Sequence, residues 1–135
     1  MIKGINHIAI VVPELESALP FWRDALGLTF TGIESVPEEG VDTAFLSAGG
    51  DSLELIQPST TDSGVARFLE KRGAGLHHLC LEVDDIAATM QHLRELGVPL
   101  INEEPQPGNA GRLYAFVHPK GTGGVLVELY QVPTG

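Results

Sequence analysis

The chain has 135 residues, 43% of them apolar, and 18 acidic against 8 basic side chains give a formal charge of −10. That length suits one domain or two small fused modules with an ordinary core, and the charge argues against nucleic-acid or anionic-membrane partners, because the basic residues are scattered and only Lys71 and Arg72 are adjacent. A single cysteine, Cys80, excludes an internal disulfide framework and reads as a small buried hydrophobe, no apolar run is long enough to span a bilayer, and the first residues do not read as a signal peptide, so a cytoplasmic location is expected.

Residues 5 to 12 read as a strand that Pro13 and Glu14 stop. A helix is expected from about Ser17 to Leu26, with Ser17 as its cap, Pro20 within the first turn, and Gly27 ending it. Strands follow over Leu28 to Ile33, Thr43 to Ser47 and Ser52 to Gln57, separated by turns at residues 36–40 and 48–51. The result is a βαβββ unit. Pro58 to Ser63 reads as linker, and Gly64 to Lys71 or Arg72 as a short amphipathic helix.

The plan then repeats. Strand 76–83 precedes a helix that Asp84 and Asp85 can cap and Gly97 ends. Residues 103–111 read as an ordered, turn-rich lid, and Tyr114 to His118 and Val125 to Val132 as closing strands. The helices end alike, in Arg23-Asp24-Ala25-Leu26-Gly27 and Arg94-Glu95-Leu96-Gly97. The last strands also match, as Leu53-Glu54-Leu55-Ile56-Gln57 and Val127-Glu128-Leu129-Tyr130-Gln131. A duplicated module of roughly 60 residues accounts for this.

Duplication turns four residues into two copies of one pair: a histidine on the first strand (His7, His78) and a glutamate on the last (Glu54, Glu128). Each glutamate interrupts an aliphatic row, so Leu53, Leu55, Val127 and Leu129 face the helices and the four polar side chains face the other way. A lone strand histidine is ordinarily hydrogen-bonded structure, and two buried carboxylates near each other repel. A divalent metal removes that penalty, and a mixed N/O donor set leaves open positions for a substrate. His77 faces the helix side, His92 lies on a helix surface, and His118 precedes Pro119 at a strand end, so none of these three joins the ligand set.

Ile5-Asn6-His7-Ile8-Ala9-Ile10-Val11-Val12, Gly75-Leu76-His77-His78-Leu79-Cys80-Leu81-Glu82-Val83 and the stretch from His118-Pro119-Lys120 through Gly123-Gly124-Val125-Leu126-Val127-Glu128-Leu129 carry a resemblance over nearly the whole chain. They resemble the vicinal-oxygen-chelate superfamily, which includes glyoxalase I and extradiol dioxygenases, and within it the methylmalonyl-CoA epimerases. The resemblance implies an α+β fold, a single domain of two tandem βαβββ modules (about 5–58 and 76–132, joined by a linker helix) whose sheets form a partly closed, barrel-like metal-binding cleft. It implies that His7, Glu54, His78 and Glu128 hold a divalent metal, Co2+ first and Mn2+, Ni2+, Mg2+ or Zn2+ as alternatives, with Glu54 at a position where some epimerases carry Gln. It also implies an acyl-CoA substrate, a homodimer, and epimerisation at C2 through a metal-stabilised enolate.

For acid/base work the first choice is Glu128 and the second Glu54, while Lys120 and Asn109 are candidates for binding the substrate. One position departs from the resemblance. Where some epimerases carry a proton-transferring glutamate, this chain has Thr43, and the neighbouring Asp42 should point to the opposite face. The competing readings are a glyoxalase I-type lyase and a ligand-sequestering protein of the same fold. An extradiol dioxygenase fits less well because of the short chain.

Overall fold

A computed structural model of the chain describes residues Met1–Thr134. The chain divides into two compact units, one of His7–His77 and one of Met1–Asn6 together with the chain from His78 onward. Strand β1 (Ile2–Val11) contributes to both. The rest of the first unit is α1 (Leu15–Leu19), a π-helical turn (Pro20–Ala25), β2 (Thr29–Val36), β3 (Val41–Ala48), β4 (Asp51–Pro58) and α2 (Gly64–Arg72). The second unit holds most of β5 (Gly75–Val83), α3 (Ile86–Glu95), a two-residue β6 (Gln106–Pro107), β7 (Leu113–Val117) and β8 (Val127–Gln131), with 3-10 turns at Asn109–Gly111 and Pro119–Gly121.

The strands run in the order β2-β3-β4-β1-β5-β8-β7-β6. The α+β expectation therefore holds, but closure does not: β2 and β6 end the order without pairing to each other among the described residues, and the sheet is not a barrel. Helix α2 belongs to the first unit.

In each unit the alternation of side chains sends one set of apolar residues against the helices. Ile10, Val12, Leu15, Leu19, Ala44, Leu46 and Leu55 form that core in the first unit, and Val83, Ile86, Met90, Ala115, Val117 and Leu129 form it in the second. Ile10 apart, the two sets occupy corresponding positions. A further small cluster of Ala9, Val41 and Ile56, with Val36 and Val65 against it, lies on the other face of the first unit's sheet.

The first helix differs from expectation. It starts at Leu15, two residues early, and Ser17 does not cap it: Gln57 of β4 accepts the Leu15 N–H at 2.7 Å, and the Ser17 hydroxyl donates instead to Glu14 at 3.5 Å. The earlier start pushes Pro20 beyond the first turn. A proline there cannot donate to the carbonyl one turn back and its ring crowds that carbonyl, so the chain widens into the π-helical turn, closed by the Leu26 N–H bonding the Phe21 carbonyl at 2.9 Å. The helix endings do agree. Gly27 and Gly97 sit at φ of 79° and 78°, the left-handed conformation that glycine adopts without a Cβ penalty.

The second unit repeats the glutamine device. Gln131 of β8 accepts the Ile86 N–H at 2.7 Å, and Asp85, as expected, caps α3 through the Ala88 N–H at 3.0 Å. Replacing Gln57 by alanine leaves the Leu15 N–H without its acceptor and is expected to lower stability by about 1 to 2 kcal/mol. Urea unfolding should show a lower midpoint at unchanged slope.

Residues 103–111 were expected to lack strand. Gln106 and Pro107 nevertheless pair with Tyr114 and Leu113, which a proline permits on an edge strand because its missing N–H faces away from the ladder.

Candidate active site

In the first unit β1 and β4 are parallel neighbours with Ala9 opposite Glu54. His7 lies two residues before Ala9, hence on the same face, and its Nδ1 stands 3.1 Å from Glu54 Oε2. The side chains are 8% and 19% exposed.

In the second unit β5 and β8 are parallel neighbours with Cys80 opposite Glu128. His78 lies two residues before Cys80, and its Nε2 stands 3.0 Å from Glu128 Oε1, with side chains 8% and 11% exposed. The register that makes one pair makes the other. Each glutamate also has a phenylalanine across its antiparallel neighbour, Phe45 opposite Glu54 and Phe116 opposite Glu128. The Phe116 ring meets the His78 ring edge-on at 5.7 Å, fixing the imidazole plane from the side.

A carboxylate this far out of water requires a cationic or hydrogen-bonding partner. The donor chemistry fits a divalent metal: neutral imidazole nitrogen and carboxylate oxygen are hard-to-borderline ligands. Within each pair the two donor atoms already stand 3.1 and 3.0 Å apart.

The other candidates are placed as follows. Cys80 is fully buried, as expected of a small hydrophobe. His77 stacks edge-on with Phe68 of α2 at 4.9 Å, a scaffold contact, and His92 is exposed on α3. His118 is exposed, and its Nδ1 accepts the Lys120 N–H at 3.0 Å, capping a 3-10 turn. Lys120 and Asn109 lie in exposed turns, where the Asn109 carbonyl accepts the Arg112 N–H at 3.2 Å. Asp42 stands opposite Gln57, whose side chain reaches α1, so it faces the helices as expected. Thr43 is 5% exposed on the opposite face.

The two glutamines were missed as helix anchors. Their signal was the spacing Glu-x-x-Gln shared by the two last strands, which puts Gln57 and Gln131 on the helix side whenever Glu54 and Glu128 are not.

Comparison with known proteins gives the family. Residues 6–116 match the family described as the Glyoxalase/Bleomycin resistance protein/Dioxygenase superfamily. The mitochondrial methylmalonyl-CoA epimerase of Mus musculus is 41% identical over 94% of this chain and 72% of its own length. The ethylmalonyl-CoA/methylmalonyl-CoA epimerase of Cereibacter sphaeroides is 41% identical over 98% of this chain and all of its own. Among solved structures, a variant of Streptomyces coelicolor methylmalonyl-CoA epimerase in complex with 2-nitronate-propionyl-CoA superposes with a TM-score of 0.89 at 32% identity, covering 99% of this chain and 100% of that one. Within that superfamily, the chain belongs to the methylmalonyl-CoA epimerase family.

Among the described residues no helix is long and apolar enough to cross a membrane.

Proposed function

We propose that this chain is a methylmalonyl-CoA epimerase in which His7, Glu54, His78 and Glu128 are the ligands of one divalent metal. The observation that carries the reading is the repeated histidine–glutamate pair, largely withdrawn from solvent at 3.1 and 3.0 Å, in a chain whose relatives at about 41% identity are epimerases of this substrate class. The matching registers and matching cores also support a single domain built from two copies of one module.

Such a metal, when bound, supplies the positive charge against which a thioester carbonyl becomes an enolate. Co2+ is the first expectation, with Mn2+, Ni2+, Mg2+ and Zn2+ as alternatives. The protein's own groups do the remaining work. His7 and His78 hold their imidazoles against the two carboxylates. Glu128 exchanges the α-proton on one face of C2 through Oε2, the oxygen not turned toward His78. Glu54 is the second choice for that same role. Lys120 and Asn109, on exposed turns, bind the substrate carboxylate or a CoA phosphate. A homodimer and a cytoplasmic location complete the reading.

The test is an assay of purified protein with (2R)- and (2S)-methylmalonyl-CoA beside the methylglyoxal–glutathione adduct, before and after dialysis against a chelator. Epimerisation that is lost on dialysis and restored by Co2+ is expected. Preferential turnover of the glutathione adduct would make the chain a glyoxalase-type lyase, and acyl-CoA binding without turnover would make it a sequestering protein.

A further inference from the structure

Inversion at C2 needs a proton removed from one side of the carbon and delivered to the other, so the four ligand residues do not by themselves complete the machinery. Cross-strand partners share a face of a sheet. In the first unit Thr43 stands opposite Ile56 on β4 and opposite Glu34 on β2, while Phe45, two residues on, stands opposite Glu54. Glu34, Thr43 and Glu54 therefore lie on one face, and it is the His7 face. Asp42 lies on the other, with Ser35 and Gln57. Of the carboxylates on the strands of this unit, only Glu34 and Glu54 belong to the His7 face. In the second unit the site-face strand β5 carries one further acid, Glu82, but Asn6 donates to it at 3.3 Å and Lys3 pairs with it at 3.6 Å. Glu34 is exposed, and two strand spacings across together with two residues along put its backbone about 12 Å from that of Glu54.

We infer that Glu34 is the second proton-transfer group, reaching over the short side chain of Thr43 to one face of C2 while a ligand carboxylate serves the other. In one direction the Glu34 carboxylate takes the α-proton, the C–H electron pair moves into the thioester carbonyl, and the protonated ligand carboxylate delivers its proton to the opposite face. The reverse reaction exchanges the two roles, and both groups re-equilibrate with water. The inference rests on the epimerase reading.

The experiment compares wild type, Glu34→Gln and, as a control in the β2–β3 turn, Glu38→Gln. Each epimer is incubated in D2O, deuterium at C2 is followed by mass spectrometry, metal content is measured, and propionyl-CoA binding is measured by calorimetry. Glu34→Gln is expected to lower kcat by about 10²- to 10⁴-fold, to leave metal content and propionyl-CoA affinity at wild-type values, and to suppress exchange from one epimer while the other still exchanges. Glu38→Gln should match wild type. A Glu34→Gln enzyme within threefold of wild-type kcat, or one that loses exchange from both epimers equally, overturns the role. Wild-type protein that epimerises nothing removes the epimerase reading itself.

Discussion

Replacing His78 by alanine is expected to strip stoichiometric metal from the purified protein and to lower epimerisation by about three orders of magnitude. His78 is 8% exposed and 3.0 Å from Glu128, so its removal deletes one donor and leaves the other without its imidazole partner. Charge stabilisation of several kcal/mol is at stake in a metal-assisted proton abstraction, and about 4 kcal/mol corresponds to a factor of 10³. The same change leaves a mostly buried carboxylate uncompensated, which costs about 3 to 5 kcal/mol where no cation replaces the lost partner. His78→Gln keeps a hydrogen-bonding group near Glu128 and separates the two effects: its unfolding midpoint should recover toward wild type while metal stays low. Elemental analysis alongside the rate decides the matter. Full metal occupancy in His78→Ala would remove His78 from the ligand set and with it the four-residue proposal.

The second large effect is expected at Glu128. Glutamine there has the same shape and can still occupy the place beside His78, but it cannot accept a proton. The expected result for Glu128→Gln is a fall in kcat of about 10²- to 10⁴-fold with a KM close to wild type, because the loss is in proton transfer rather than in substrate binding. Glu54→Gln should differ. The resemblance to epimerases places Gln at that position in some of them, so metal should be retained and most of the rate kept. Comparing the two variants tests whether equivalent positions of the two units have diverged in role. Equal losses in both would show that they have not.

Much of this is legible in the sequence. The histidine and the glutamate of each pair are set apart from their neighbours by strict alternation, and a strand period of two leaves no choice about which face they take once the leucines are assigned to the helices. That is why His7, Glu54, His78 and Glu128 emerge from the pattern and why His77 does not. The parts that were not legible depend on contacts between distant residues or on competition between local rules. Ser17 is a good cap by type, but Gln57, 42 residues away, occupies the end of α1. Pro20 is compatible with a first turn, yet the helix begins earlier and the conflict is resolved by a wider turn rather than a break. Glu34 carries no local mark at all. The strand read from the sequence stops at Ile33, whereas β2 runs on to Val36 and pairs Glu34 with Thr43 in the ladder that leaves the turn.

The parallel pairing of β1 with β4 and of β5 with β8 also governs the order in which the molecule assembles. The β2–β3 and β3–β4 ladders join strands that follow one another in the chain, whereas the contacts that bring Gln57 to Leu15 and Gln131 to Ile86 close loops of 42 and 45 residues. Such long closures are entropically expensive and form late. Each histidine is therefore expected to meet its glutamate after the meander that carries that glutamate has formed. An ion held by these pairs would act on the finished structure, slowing its unfolding while leaving the rate at which it first forms nearly unchanged.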